Sequence, residues 1–260
     1  MAALPVLFIS HGSPMHALHA GAAGKAWAAL AARLPRPRAI LIVSAHWETE
    51  SPELTGAARP QTIHDFYNFP QPLYQLRYPA PGDPELAARA WAMLEHAGFS
   101  AVVDSERGLD HGAWSPLLHM YPDASIPVVQ VSVQPALGPD HHVSVGRALA
   151  PLSEQGVLII GSGHMTHNLR DRRADDSPPL PYAAEFQAWV DAAIVARDFE
   201  ALVDYRQRSP HGARAHPTDE HFLPLFFALG AAAPGYAAER VYDGIEQGAL
   251  AMDAYCLRPN

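Results

Sequence analysis

The chain of 260 residues is 48% hydrophobic, so it is long and apolar enough to bury a sizeable core. Its formal net charge of −9 argues against a nucleic-acid surface or an anionic membrane patch, because both need clustered Lys and Arg. No apolar run reaches the roughly 20 residues of a bilayer-spanning helix, no secretory signal is recognisable, and one cysteine, Cys256, allows no internal disulfide. We therefore expect a cytoplasmic protein with a single domain over residues 1–260.

Predicted strands and helices alternate along the chain. The apolar and helical patterns predict strands at residues 6–10, 39–44, 99–103, 126–133, 157–160, 237–243 and 249–257, and helices at residues 22–34, 83–97, 140–154, 181–196, 198–207 and 218–230. Residues 47–82, rich in proline and aromatics, are expected to wall a pocket, and residues 170–180 to form a surface loop. The alternation is typical of an α/β fold with a mostly parallel central sheet, helices on both faces, and the site at the C-terminal strand ends.

Three of the predicted strands lead directly into histidine. His11 follows the first strand, His46 follows the second, and His164 follows the strand that a Gly-Ser-Gly turn is expected to end. Parallel strands deliver their C-terminal residues to one crevice, so three such coincidences indicate a common site. His11 and His46 are therefore candidate metal ligands, although for either one alone a hydrogen bond to a loop backbone is the simpler interpretation.

Three residues compete for a third ligand position: His216, Glu220 and His221. On the predicted helix, Glu220 and His221 project about 100° apart, so they cannot both face one ion. His221 lies with Leu225 along the apolar stripe, whereas Glu220 lies nearer solvent, where a first-turn acid interacts favourably with the helix dipole. This favours His221 and keeps Glu220 as a rival, and it leaves His216 to cap the helix or to touch substrate.

The remaining histidines divide into two groups. His164 and His167 share a face only if a helix starts at the preceding turn, and Asp110-His111 in a glycine-flanked loop is typical of an oriented imidazole. The others are expected to be surface or core histidines: His16, His19, His96, His119, His141, His142 and His211. The sequence has neither the spacing of a phosphate loop nor a nucleophile elbow. It indicates a mononuclear, histidine-rich metal site with open positions, for which imidazoles suit Fe(II) and Zn(II) alike.

Six motifs then occur in one order: Ser10-His-Gly-Ser-Pro-Met15, Ser44-Ala-His-Trp47, His64-Asp-Phe-Tyr-Asn-Phe-Pro70, Leu109-Asp-His-Gly-Ala-Trp114, Gly161-Ser-Gly-His-Met-Thr-His-Asn-Leu169 and Asp219-Glu-His-Phe-Leu-Pro224. Together they resemble the DOPA 4,5-dioxygenase group of the class III extradiol ring-cleavage dioxygenases, and the resemblance covers essentially the whole chain. It implies a non-haem enzyme that inserts both atoms of O₂ into a catechol beside its two hydroxyls. Fe(II) is the cofactor expected for activity, and Zn(II) is an ion expected to be found bound.

The resemblance also implies the metal ligands and the catalytic residues. His11, His46 and His221 match the ligands, with Glu220 as the rival because the related protocatechuate enzymes use a glutamate. His167 matches the acid–base catalyst and, in zinc-loaded relatives, a fourth metal ligand. His111 matches a histidine that contacts substrate.

Substrate contacts are expected from the residues around these positions: Trp47, Asp65, Phe66 and His216, with Tyr67 and Phe69 in the same aromatic wall. His164 takes no role from the resemblance. The expected partners are a small-molecule catechol and O₂, with no nucleic acid and no membrane, and a homo-oligomer stays open.

Two other functions remain open at this level. A zinc metallohydrolase on the same scaffold would use His167 as a base and would turn over without consuming oxygen. A non-enzymatic metal-binding protein would bind metal tightly and show no turnover with either ion. The aromatic wall and the Asp-His-Gly motif weigh against this last interpretation.

Overall fold

An eight-stranded mixed sheet forms the centre of the computed structural model, which describes residues 3–232 and 234–259. The strands are β1 Val6–Ser10, β2 Ala39–Glu48, β3 Glu53–Thr55, β4 Val102–Asp104, β5 Val128–Val133, β6 Val157–Gly163, β7 Ala237–Tyr242, β8 Ile245–Glu246, β9 Leu250–Ala251 and β10 Ala254–Arg258. Their order is β4-β3-β5-β2-β6-β1-β10-β7, and β8 and β9 form a separate small hairpin. The four central strands, β5, β2, β6 and β1, are mutually parallel, while β10 and β7 add antiparallel strands at one edge.

Helices cover both faces of this sheet. They are α1 Gly21–Arg33, α2 Gln71–Gln75, α3 Pro84–His96, α4 His111–Met120, α5 Gly138–Leu149, α6 Pro181–Ala196, α7 Phe199–Val203, α8 Tyr205–Arg208, α9 Gly212–Ala215 and α10 Leu223–Ala231. The prediction of an α/β fold with a mostly parallel sheet and helices on both faces is confirmed. No helix of the described residues is long and apolar enough to span a membrane.

Each central strand contributes alternate side chains to two separate hydrophobic cores. In β1, Val6 and Phe8 belong to the core that contains α3, α5, α6 and α10, whereas Leu7 and Ile9 belong to the core that contains α1 and α4. This follows from the two-residue repeat of a strand, and it explains why the inner strands are continuously apolar. Packing of alternate residues into the two cores holds each inner strand in one orientation, and so determines where the residues after the strand lie.

The structure corrects several predicted boundaries. Residues 47–82 contain β3 and α2, for which no strand or helix was predicted, and the predicted strand at 99–103 lies instead at Val102–Asp104. The predicted strand at 249–257 is divided into β9 and β10. The helix expected at 218–230 begins only at Leu223, with Pro224 in its first turn, where proline is well tolerated.

Candidate metal centre and active site

Three imidazoles converge at the carboxyl ends of the central strands. His11 directly follows β1, His46 lies near the end of β2, and His221 lies in the turn before α10. The Nε2 atom of His46 is 3.0 Å from that of His11 and 3.3 Å from that of His221. One ligand atom from each of the three residues fits within a 4.8 Å group.

In two of these rings, Nδ1 points away from the cluster and is hydrogen-bonded to an oxygen atom. Nδ1 of His11 is 3.1 Å from the hydroxyl of Ser162, which itself donates to the carbonyl of Gly112 at 2.5 Å. Nδ1 of His221 is 2.9 Å from a carboxylate oxygen of Glu220. Because each oxygen must accept the Nδ1–H, the Nε2 atoms are left with lone pairs that face each other.

His46 completes this arrangement, and its Nδ1 lies 3.4 Å from a carboxylate oxygen of Asp65. Burial lowers the pKa of His11, His46 and His221 well below the usual value, and the neighbouring imidazoles lower it further. Three neutral rings therefore direct lone pairs at one point, where repulsion is unfavourable without a positive charge. The donor set fits a divalent cation, and it fits iron and zinc equally well.

Glu220 does not compete with His221 for this point in the structure. Both residues precede α10 rather than standing on its first turn, so the expected helical projection of the two side chains was wrong. The turn directs the ring of His221 at His46, and the carboxylate of Glu220 lies behind that ring. Glu220 thus orients an imidazole here.

Asp65 and His111 form a second histidine–carboxylate contact beside the three imidazoles. His111 donates to the two oxygens of Asp65, from its backbone N–H at 2.9 Å and from ring Nδ1 at 2.9 Å. Burial alone would raise the pKa of Asp65, but the hydrogen bonds from His111 outweigh it and lower that pKa to about 2. The carboxylate therefore holds His111 with Nε2 free on the cavity side.

Asp110 and His111 were expected to lie in a loop, but the structure places them at the start of a helix. His111 is the first residue of α4, and Asp110 caps that helix by accepting from the N–H of Ala113 at 3.3 Å. Asp110 also accepts from the hydroxyl of Ser44 at 2.6 Å, so β2 and α4 are joined directly below the site. The partner that orients His111 is Asp65, which is 46 residues away in sequence.

His164 and His167 follow β6 and reach the same cavity. The ring of His167 stacks on that of His221 with centroids 3.4 Å apart, and burial, followed by the charge of Arg172, lowers the pKa of His167 to about 4. Nδ1 of His167 is 4.0 Å from the carboxylate of Glu220, beyond hydrogen-bonding range. His164 is buried with its ring centroid 6.0 Å from that of His11. The sequence left His164 without a role, although its place after a strand was the signal that it belongs here.

These side chains line a cavity of about 400 Å³. Its wall is formed by His11, Gly12, Ser13, Pro14, His46, Asp65, Phe66, Tyr67, Phe69, His111, His164, His167, Leu169, Arg172, His221, Gln247 and Leu250. A larger cavity of about 620 Å³ lies beside α5, α7 and α10 and contains no histidine. We assign the site to the smaller cavity because the imidazoles converge there. Arg172, Gln247 and Leu250 were not predicted because no motif marks them, and Leu169 was given no role although it ends the motif that begins at Gly161.

Two expected substrate-binding residues do not reach this cavity. Trp47 follows His46 within β2, so its side chain points to the opposite face, where the guanidinium of Arg107 covers it at 4.5 Å. His216 is completely buried, and its Nε2 lies 2.9 Å from the carbonyl of Met165. Both are packing residues in this fold, whereas Asp65 and Phe66 do line the cavity.

A strand-end cluster of buried imidazoles, facing an aromatic-walled cavity in a mostly parallel sheet, indicates the class of α/β enzymes whose site can hold a metal ion. Comparison with known families specifies the class further. Residues 5–247 match the family described as the catalytic LigB subunit of aromatic ring-opening dioxygenase, and the chain belongs to that family.

Individual relatives agree with the family assignment. A Beta vulgaris protein named 4,5-DOPA dioxygenase extradiol is 43% identical over 253 residues, which cover 95% of this chain and 94% of that protein. An Escherichia coli K12 protein of the same name is 41% identical over 96% of this chain and 93% of its own length. A crystal structure of an uncharacterized Escherichia coli K12 protein matches with a TM-score of 0.84 at 37% identity, over 97% of this chain and 99% of that one.

The predicted resemblance and activity are therefore confirmed. The chain is an extradiol-type aromatic ring-opening dioxygenase, an enzyme that takes a small aromatic substrate and O₂. The hydrolase and the non-enzymatic interpretations are not favoured, because family, relatives and histidine cluster agree on one chemistry.

Proposed function

We propose that this enzyme opens the ring of DOPA or of a comparably bulky catechol, with Fe(II) bound by His11, His46 and His221. The observation that carries the proposal is the convergence of three imidazole Nε2 atoms on one side of a cavity with an aromatic wall. DOPA is favoured because the relatives of 41–45% identity carry the name 4,5-DOPA dioxygenase extradiol. A bound cation would supply the positive charge that lowers the pKa of a catechol hydroxyl.

The side chains around the ring divide the remaining work. His111 accepts a hydrogen bond from one catechol hydroxyl, because Asp65 occupies its other nitrogen. His167 has no side-chain hydrogen bond within the described residues, so its ring can take the proton of the second hydroxyl and return it later. Phe66 and Phe69 pack on the aromatic ring and exclude water from it.

Oxygen uptake by reconstituted protein tests the proposal. Chelator-stripped protein is loaded with Fe(II) under argon and then given DOPA or catechol with oxygenated buffer. We expect one O₂ consumed per substrate, matched by a new visible absorbance from the ring-opened product, and no uptake by protein loaded with zinc. An iron-loaded enzyme that consumes no oxygen with any catechol would contradict the proposal.

Metal analysis of purified variants tests the residue roles. His11→Ala, His46→Ala and His221→Ala are expected to lose most of the bound iron, because each removes one of three nitrogen donors. His167→Ala should retain its iron and lose turnover, since that ring moves a proton instead. The exposed His96→Ala serves as the control and should match the unmodified enzyme in both measurements. Loss of iron in His167→Ala would make that residue a fourth ligand.

A further inference from the structure

The catalytic cavity has a buried end and an exposed mouth. At the buried end, His11 and His221 are 1% and 6% exposed, whereas at the mouth Tyr67 and Leu169 are 83% and 46% exposed. A catechol that places both hydroxyls against the imidazoles must direct a substituent on the far side of its ring toward this mouth. The mouth residues therefore meet the part of the substrate that distinguishes one catechol from another.

Arg172 is the one arginine or lysine that lines the cavity within the described residues. It lies on the same wall as Leu169, and its Nε donates to the Leu169 carbonyl at 3.2 Å. Its two terminal nitrogens make no hydrogen bond or ion pair with any described residue. Arg214, by contrast, is paired with Asp171 at 3.0 Å. The unpaired guanidinium leaves its fork of N–H groups available to a ligand.

The segment that carries Arg172 is held in place from both sides. Before it, the Asn168 side chain donates to the Arg214 carbonyl at 2.8 Å and accepts from the N–H of Arg170 at 3.2 Å. After it, the N–H of Arg173 donates to the carbonyl of Gln247 at 2.8 Å, which ties the segment to another wall of the cavity. Such anchoring reduces the entropy lost when the side chain binds an anion.

The charge of Arg172 also reaches the chemical end of the cavity, where it contributes to lowering the pKa of His167. Asp65, the one carboxylate on the cavity wall among the described residues, already accepts two hydrogen bonds from His111. The mouth therefore offers an unpaired positive charge and no unpaired negative one. This asymmetry favours a substituent with a carboxylate.

We propose that Arg172 binds a carboxylate on the substituent of the catechol, so that the enzyme selects catechols with an anionic side chain. This rests on the proposed function, because the ring must lie against the imidazoles for its substituent to reach Arg172. DOPA satisfies the requirement through its amino-acid carboxylate. Catechols that carry only an amine or a methyl group bind without this contact.

Four catechols with the same ring separate the contributions: DOPA, 3-(3,4-dihydroxyphenyl)propionate, dopamine and 4-methylcatechol. For the two carboxylates, Arg172→Gln is expected to raise KM about 10-fold, as for loss of a charge-assisted hydrogen bond. Any change in kcat that arises through His167 should be the same for all four catechols. For 4-methylcatechol KM stays unchanged, and for dopamine it falls because a like charge is removed. Arg172→Lys restores part of the affinity for the carboxylates. Arg170→Gln, the same change two residues earlier and outside the cavity wall, leaves all four unchanged.

An equal rise of KM with all four catechols, or an equal effect of Arg170→Gln, would overturn the inference. Calorimetric Kd values measured under argon with the iron-loaded protein separate it from the proposed function. If the unmodified protein binds the propionate more tightly than 4-methylcatechol and Arg172→Gln removes the difference, the inference holds even where oxygen opens no ring. If all four rings open and neither Kd nor KM responds to Arg172, the inference fails and the proposed function stands.

Discussion

At the scale of single residues, Asp65 decides which nitrogen of His111 faces the cavity. Its two oxygens accept from the backbone N–H and from ring Nδ1 of His111, and it also lies 3.4 Å from Nδ1 of His46. One carboxylate thus orients a candidate ligand and a candidate catalytic ring. At comparable metal sites, loss of a group that orients a ligand typically lowers activity or metal affinity by about 10-fold to 100-fold.

Asp65→Asn tests this role. The amide of Asn has only one oxygen acceptor, so its NH₂ group would face one of the two N–H donors of His111. The ring can avoid this clash only by moving its proton from Nδ1 to Nε2, where the proton would point toward the substrate. We expect kcat to fall about 10-fold to 100-fold while most of the iron is retained, as measured by oxygen uptake and metal analysis. Asp123→Asn, a surface change in an exposed ion pair with Arg36, should leave both unchanged. Full activity in Asp65→Asn would show that another group sets the tautomer.

Individual contacts were the least predictable part of the site. The sequence brought His11, His46, His111, His167 and His221 forward because motifs and strand ends mark them, and the structure places all five on one cavity. It could not pair residues that are distant in the chain. The motif around His111 indicated an oriented imidazole without naming its partner, and Asp65 was expected to contact substrate. The contact between Asp65 and His111 depends on how residues 47–82 are placed beside α4.

At the scale of elements, the Gly-Ser-Gly motif lets the end of β6 pack closely against α10 on one face and contact His11 on the other. The motif was expected to end the strand, but Gly161, Ser162 and Gly163 are its last three residues. A Cβ on Gly161 would overlap the carbonyl of Pro224 in α10, and a Cβ on Gly163 would overlap the carbonyl of His221. Ser162, which points to the other face, reaches His11. The glycines therefore let α10 pack closely enough to place His221.

Gly161→Ala tests this packing. The new methyl group must push α10 off the sheet, which we expect to lower the free energy of unfolding by about 1–3 kcal/mol and to weaken iron binding by displacing His221. Urea unfolding and metal affinity are the two measurements. Gly98→Ala is the control, because its Cβ meets no atom within 4 Å although its φ is +89°. That change should lower stability alone, and unchanged iron affinity in Gly161→Ala would exclude the proposed coupling.

Element types were predictable wherever one pattern was strong. The inner strands were found because burial on both faces makes them continuously apolar. The start of α10 was misplaced because Thr218 and Asp219 have the chemistry of a helix cap, while the actual turn runs on to Phe222, with its N–H bonded to the Asp219 carbonyl at 2.8 Å. Short strands such as β3 and β4 depend on pairing with distant strands, which local pattern does not contain.

At the scale of the whole molecule, the fold buries several histidines whose pKa values are lowered by that burial. His142 is one that stands apart from the metal centre, in α5. Its Nδ1–H donates to the Gly138 carbonyl at 2.7 Å, and its Nε2 accepts from the N–H of Gln134 at 3.1 Å. Protonation of Nε2 would place its N–H against the backbone N–H of Gln134, so that two donors would face each other without water. Burial first, and the charge of His141 in addition, lower the pKa of His142 to about 4, although the bond to Gly138 opposes this.

The folded protein should therefore lose stability as the pH falls through this range. Above pH 6.5 the ring is neutral in both states, whereas between about 6.5 and 4 the unfolded chain binds a proton that the folded state does not. Integrated over that interval, the loss is on the order of 3 kcal/mol. His142→Gln keeps a donor and an acceptor but cannot titrate, so the stability advantage of the unmodified protein over this variant should shrink by that amount toward pH 4.

Urea unfolding at stepped pH, with chelator present throughout to remove metal linkage, measures the difference. The exposed His96→Gln should give a curve parallel to that of the unmodified protein. A parallel curve for His142→Gln would mean that this ring contributes nothing to the acid sensitivity.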